Sequence, residues 1–268
     1  MKDRRLMTDF EKGNEAKNIV VAGILTLVMT FMEMTAMPAA LFFNIKLKDI
    51  EPIYISLILN FIIAFVLCGL CRITVLKKWD FGLHTEGINT GIREYGLPAL
   101  IATILVAISF CIGLSPLDNK PTVWRVIIEG IIYYVGVGVM EELYLRGLLQ
   151  NLIEKLFGKN INASLYAILI ASALFGFGHI FGALGQPAVT IICKAVWATG
   201  LGVYFGAIYV KTRNLWVPII LHIIVDLCGI PVCFSSTSEY PDIALIVSLI
   251  SFVLLGVYGI YVFRREID

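Results

Sequence analysis

Apolar residues run along this chain in blocks, each closed by a short polar or turn-forming stretch. The uninterrupted blocks cover about 18–44, 53–71, 96–114, 126–149, 161–181, 188–210, 215–233 and 241–263. A helix rises about 1.5 Å per residue, so roughly 20 residues cross about 30 Å of hydrocarbon, and each block has the length of a membrane span. Backbone groups find no water partners in lipid, which makes helices of such runs, and the alternating segments of a membrane barrel are absent. The pattern predicts an all-α polytopic membrane protein with about eight transmembrane helices. A head at 1–17 precedes a single membrane domain at 18–263, and a tail at 264–268 closes the chain.

Composition sharpens this picture. Of the 268 residues 59% are hydrophobic and 15% charged, against about 45–50% and about 25% in soluble domains, which excludes a water-soluble enzyme. The net charge of +1 gives no basic footprint for nucleic acid. With the N-terminus inside, 15 Lys and Arg fall in cytoplasmic segments and 4 outside, so both termini are expected in the cytoplasm. The head is long, and the apolar run after it exceeds a signal-peptide core, which reads as a retained first span. Six cysteines lie in or beside apolar runs. Cys68 and Cys71 form a CxxC without a second pair at zinc spacing, so all six read as small buried hydrophobes. Ala198, Gly202 and Gly206 form a small-residue face for close helix packing.

Ionisable groups in lipid cost about 2.5–3.5 kcal/mol each on insertion scales and call for a reason. The fourth block holds Glu141, Glu142 and Arg146, the fifth His179, the sixth Lys194, and the seventh His222 and Asp226, while Glu33 and Glu129 lie in the first and fourth. Glu142 and Arg146 are four apart and can neutralise each other on one helix face. Glu141, rotated about 100° away, has no cation at that spacing. An unpaired carboxylate in a low-dielectric site is suited to exchanging protons, and a polar helix contact without chemistry is the alternative. His222 and Asp226 share a face, so the carboxylate can hold the ring or share a ligand with it. Phe175 stands one turn from His179 on the same side. His84, in the cytoplasmic loop, reads as solvated.

Depth relates these residues only in part. In a straight hairpin turning at Gly158–Asn160, Glu141 and His179 are level to within about 3 Å. His222 lies nine residues beyond Arg213, a mismatch of roughly 14–16 Å on the same rise. Either Leu148 to Phe157 runs partly outside the bilayer or the Lys211–Asn214 turn is recessed.

These residues also carry a family resemblance. Glu141-Glu142-Leu-Tyr-Leu-Arg146 matches an EExxxR signature, Phe175-x-x-x-His179 an FxxxH, and His222-x-x-x-Asp226 an HxxxB in which B is Asn or Asp. With Phe81-Gly-Leu and Asn214-Leu-Trp-Val-Pro-Ile-Ile-Leu-His222, the chain resembles the CPBP family, the CAAX-protease and bacteriocin-processing intramembrane proteases, over about Trp79 to Gly229. The resemblance implies an intramembrane endopeptidase with its catalytic core at about 123–229, acting on a small or lipid-associated peptide or protein that enters from the bilayer or the cytoplasmic side. It implies that Glu141 and His179 activate water, that His222 and Asp226 stabilise the oxyanion or anchor the site, and that Glu142, Arg146 and Phe175 support them. Members that trim prenylated proteins have Asn where this chain has Asp226. An ionised Asp repels an oxyanion, so Asp226 must be protonated, orient His222 or help bind a metal. A metal-free mechanism is preferred; the alternative is a divalent metal such as zinc held by Glu141, His179, His222 and Asp226. Other functions in view are a non-enzymatic bacteriocin-immunity or partner-binding protein on the same scaffold, and a transporter coupling protons through Glu33, Asp226 and Lys194. The partners expected are a peptide or lipidated protein and membrane lipid, and the compact loops point to a bacterial plasma membrane.

Overall fold

The computed structural model describes residues 80–116, 122–158, 161–236 and 239–265, with parts of two helical stretches between residues 17 and 28 and between 58 and 69. The predicted spans at 18–44 and 53–71 lie mostly outside the described residues, and Glu33 lies outside them entirely. The remaining chain is helical: α1 (Ile88–Gly113), α2 (Val123–Glu142), a π-helical segment (Leu143–Gln150), α3 (Asn151–Phe157), α4 (Ile161–Phe181), α5 (Ala188–Thr212), α6 (Trp216–Asp226), a 3₁₀ segment (Leu227–Phe234) and α7 (Asp242–Arg264). Six of the described runs are long and apolar enough to cross a membrane, because Val123–Phe157 forms one 35-residue run and α6 continues into the 3₁₀ segment. They coincide with the last six predicted spans.

The edges differ from the hydropathy blocks for a physical reason. The loop expected to reach Tyr95 ends at Gly87, whose φ of 80° lets the chain turn into α1. Residues 88–95 then form an amphipathic extension, with Gly91 and Tyr95 buried and Asn89, Arg93 and Glu94 exposed. Hydropathy averages over such a stretch and misses it; helical periodicity does not.

Helix α5 lies between α4 and α7, and small residues allow the backbones to meet. A Cβ on Gly256 of α7 would stand 2.9 Å from the Cα of Gly200, and one on Gly202 would stand 2.9 Å from the Cα of Ser172 in α4. In lipid, such contact takes the place of the hydrophobic effect in bringing helices together.

Both ends of the bundle are tied. At one, Asn214 Nδ2 donates to the carbonyls of His84 and Glu86 at 2.9 and 2.7 Å, the Leu215 amide donates to Gly82 O at 2.9 Å, and Arg213 pairs with Glu154 at 3.2 Å. His84 itself is exposed, as its loop position predicts. At the other end, Pro116 bridges Ser235, and a Cβ on Gly113 would strike Pro241. The Arg213–Glu154 pair puts Glu154 level with the α5–α6 turn, so Lys155–Gly158 runs past that turn.

Candidate active site

The π-helical segment begins one residue after Glu142 and is wholly buried. Such wide turns occur mostly as short insertions in α-helices; here one turns the polar side chains of residues 146–151 onto α5. Arg146 Nη2 donates to Gly202 O at 3.0 Å and Gln150 Nε2 to Gly206 O at 3.1 Å. Asn151 Nδ2 donates to Gly147 O at 2.9 Å and to the Tyr209 hydroxyl at 2.8 Å. The small-residue face of α5 therefore holds Arg146 and Gln150 through its carbonyls, in addition to letting helices approach.

Arg146 is 1% exposed and carries one of the largest fully buried side chains in the molecule. Its Nη1 donates to Glu142 Oε1 at 2.7 Å, the i,i+4 pair read from the sequence. The guanidinium lies 5.4 Å from the Phe175 ring centroid and 5.6 Å from that of Phe205, so its charge is met by a carboxylate, a carbonyl and two aromatic faces.

Glu142 has a second partner that spacing did not give. Its Oε1 also accepts from His222 Nδ1 at 2.7 Å, across 80 residues of sequence. A carboxylate here only accepts, so Nδ1 carries the hydrogen and Nε2 is turned the other way. That nitrogen stands 3.5 Å from Glu141 Oε2 and 3.6 Å from Asp226 Oδ2. His222 is thus hydrogen-bonded to Glu142 and stands within ion-pair distance of its i,i+4 neighbour Asp226 and of Glu141. Phe205 stacks on the imidazole with centroids 4.8 Å apart and planes at 22°. Sequence reasoning missed Phe205, whose only signal is its place between Gly202 and Gly206 on α5.

His179 is fixed independently. Its Nδ1 lies 2.9 Å from Phe175 O, a carbonyl that only accepts, so Nδ1–H donates there and Nε2 is left open. Phe175 meets the His179 ring edge-on at 4.4 Å and faces His222 at 6.1 Å, which makes it the spacer between the two imidazoles.

His179, His222 and Asp226 line one cavity of about 150 Å³. The remaining wall includes Phe110, Tyr134, Trp197, Tyr240 and Phe252. Glu141 joins through His222 Nε2, and its side chain retains 11% exposure. Phe110 and Tyr240 belong to the end of the bundle where α1 finishes and α7 begins, so the cavity extends toward that end and away from the Arg213 turn. Glu129 stands apart, paired with Arg125 at 2.7 Å on an exposed helix face. Lys194 Nζ lies 6.0 Å from the Tyr240 ring. Among the described residues no three His, Cys, Asp or Glu side chains are grouped so as to hold a metal ion.

Residues 122–228, from the start of α2 to the second residue after α6, match the family model of the Rce1-like type II CAAX prenyl endopeptidases. No curated protein matches the chain. The match agrees with the CPBP resemblance carried by the three motifs, and it spans Glu141, His179, His222 and Asp226 together.

Proposed function

We propose that this chain is an intramembrane endopeptidase that hydrolyses a peptide bond in a small or lipid-associated substrate, with Glu141 and His179 activating the attacking water. The observation that carries the reading is the convergence of His179 and His222 from separate helices on one cavity, with Glu141 Oε2 3.5 Å from His222 Nε2, inside a domain of an endopeptidase family. A hydrolytic site in lipid needs a base, a second group that handles protons, and a water-holding cavity. Glu141 supplies the base and His179 Nε2 the second acceptor. His222, fixed from behind by Glu142 and stacked on Phe205, keeps Glu141 and Asp226 in place.

The water proton passes to Glu141 as the new C–O bond forms and the carbonyl electron pair moves onto its oxygen. That pair then re-forms the carbonyl as the C–N bond breaks, and Glu141 returns the proton to the departing amine. No metal takes part in this scheme, so cleavage is expected to survive chelation. The chain crosses the membrane eight times with both ends in the cytoplasm.

The test uses purified protein in detergent and an internally quenched peptide bearing a farnesylated cysteine, alongside its unprenylated copy. Glu141→Ala and His179→Ala should each lower cleavage by at least about 100-fold, the scale of a lost general acid–base group, at unchanged protein level. Undiminished cleavage by either variant ends the assignment. A preference for the farnesylated peptide identifies a lipidated substrate, and equal rates identify a plain peptide.

A further inference from the structure

The ring hydrogens of the two imidazoles are directed at protein acceptors. The Nδ1–H groups of His179 and His222 are committed to Phe175 O and Glu142 Oε1, and His222 Nε2 faces the carboxyls of Glu141 and Asp226 at 3.5 and 3.6 Å, so a hydrogen there is directed at them. Addition of water to a carbonyl creates a different need, a donor aimed at an oxygen that gains negative charge.

Tyr134 meets that need by its position. It stands seven residues, two helical turns, before Glu141 on the same face of α2. That face reads Gly130, Tyr134, Gly138. A Cβ on Gly130 would lie 3.4 Å from Ile230 Cγ1, and one on Gly138 would lie 2.8 Å from Ile223 Cγ1, so the two glycines bring α2 close to α6 and its 3₁₀ extension. Between them the phenol reaches across to Gly229, where a Cβ would fall only 2.4 Å from the Tyr134 hydroxyl oxygen. Gly229 lies one turn beyond Asp226, and both line the cavity with Tyr134, His179 and His222. Among the described residues no protein group is hydrogen-bonded to that hydroxyl.

We propose that Tyr134 is a further catalytic residue, donating a hydrogen bond to the oxygen of the scissile carbonyl as water adds. The inference rests on the hydrolytic reading above. The hydroxyl keeps its proton throughout; the carbonyl electron pair moves onto the oxygen it holds and returns when the C–N bond breaks. Gly229 is a positioning residue, because any side chain there displaces the phenol oxygen.

The test measures kcat and KM separately on the same quenched peptide. Tyr134→Phe should lower kcat by about 10²–10³-fold, as loss of one oxyanion donor does, with KM within about twofold and thermal stability near wild type. Gly229→Ala should lower kcat comparably, and the double variant should be no slower than Tyr134→Phe, since both changes remove one hydrogen bond. A peptidyl phosphinate, which carries the tetrahedral oxygen without turnover, should bind Tyr134→Phe at least tenfold more weakly than wild type. Wild-type kcat in Tyr134→Phe, multiplicative losses in the double variant, or equal phosphinate binding would each overturn the assignment. Glu141→Gln and His179→Ala run beside it: if they still cleave, the hydrolytic reading has failed, whereas if they are inactive and Tyr134→Phe is not, Tyr134 alone is excluded.

Discussion

Glu142 Oε1 is shared by Arg146 Nη1 and His222 Nδ1, both at 2.7 Å, while its Oε2 is buried without a partner. A carboxylate so placed depends on the guanidinium for its charge balance, and the guanidinium depends on it. Removing one member of a buried pair costs about 3–5 kcal/mol, because the other charge is stranded. Arg146→Ala is therefore expected to lose that much stability and to cleave poorly even where it folds, since Glu142 no longer holds His222; unfolding followed by circular dichroism in detergent measures the first effect. Arg146→Lys keeps the charge but loses the contact to Gly202 O and the flat face set between Phe175 and Phe205, and should fall between the two. An Arg146→Ala protein as stable as wild type would contradict this account. The pair was legible in the sequence because both residues lie on one helix at i,i+4. The partner of His222 was not: its spacing to Asp226 suggested an intrahelical clasp, whereas the hydrogen bond runs to a residue 80 positions away. Phe205 was hidden among apolar neighbours, since an aromatic in a lipid-facing sequence carries no chemical signal of its own.

Between the elements, the glycines of α5 divide into two kinds of contact. Gly202 meets α4 with its Cα and Arg146 with its carbonyl, whereas Gly200 meets α7, at Gly256 and at the backbone of Phe252. An added methyl at either contact forces the helices apart, with a typical cost of about 1–3 kcal/mol for overpacking. Gly202→Ala is expected to lose cleavage beyond its loss of stability, because moving the carbonyl frees Arg146 and, through Glu142, His222. Gly256→Ala should lose stability alone, with normal kcat in the folded fraction. Equal specific activity in the two folded variants would show that α5 is only a spacer. The small-residue face was visible in the sequence as packing; that its carbonyls hold side chains was not, because backbone acceptors leave no mark in composition. The π-helical segment was equally hidden. Glu142 and Arg146 are close at i,i+4 whether or not the next turns widen, so the motif did not reveal the change of pitch that turns Gln150 and Asn151 toward α5. Span number fared better, since the last six blocks each correspond to a described run, and only their polar extensions, such as 88–95 and 150–157, escaped hydropathy.

Across the whole molecule, three membrane-length runs separate the loop at 80–87 from the turn at 182–187, so the two must lie on opposite faces of the membrane. The bias of basic residues leads us to expect the first in the cytoplasm. Leu83 and Leu184 are 49% and 62% exposed and offer labelling positions at the two ends. In a background with Cys111→Ser and Cys233→Ser, the cysteines that are exposed among the described residues rather than buried as the sequence suggested, a membrane-impermeant maleimide added to intact cells should label Leu184→Cys, and should label Leu83→Cys only after permeabilisation. The reverse pattern inverts the orientation, and labelling of both from one side refutes an odd number of crossings. The same geometry bears on how substrate arrives. Phe110 and Tyr240 put the cavity toward the end of the bundle where Gly113 meets Pro241, the end shared with Leu184 rather than with the basic loops. Entry from the cytoplasmic side, one of the two routes expected from the sequence beside entry from the bilayer, would require a substrate to pass the tied contacts of Asn214 and Arg213. Tyr240→Cys, if it retains cleavage, should therefore be blocked by the impermeant reagent applied from outside and spared when the reagent is confined within right-side-out vesicles. Protection from outside with block from within would place the entrance at the cytoplasmic end.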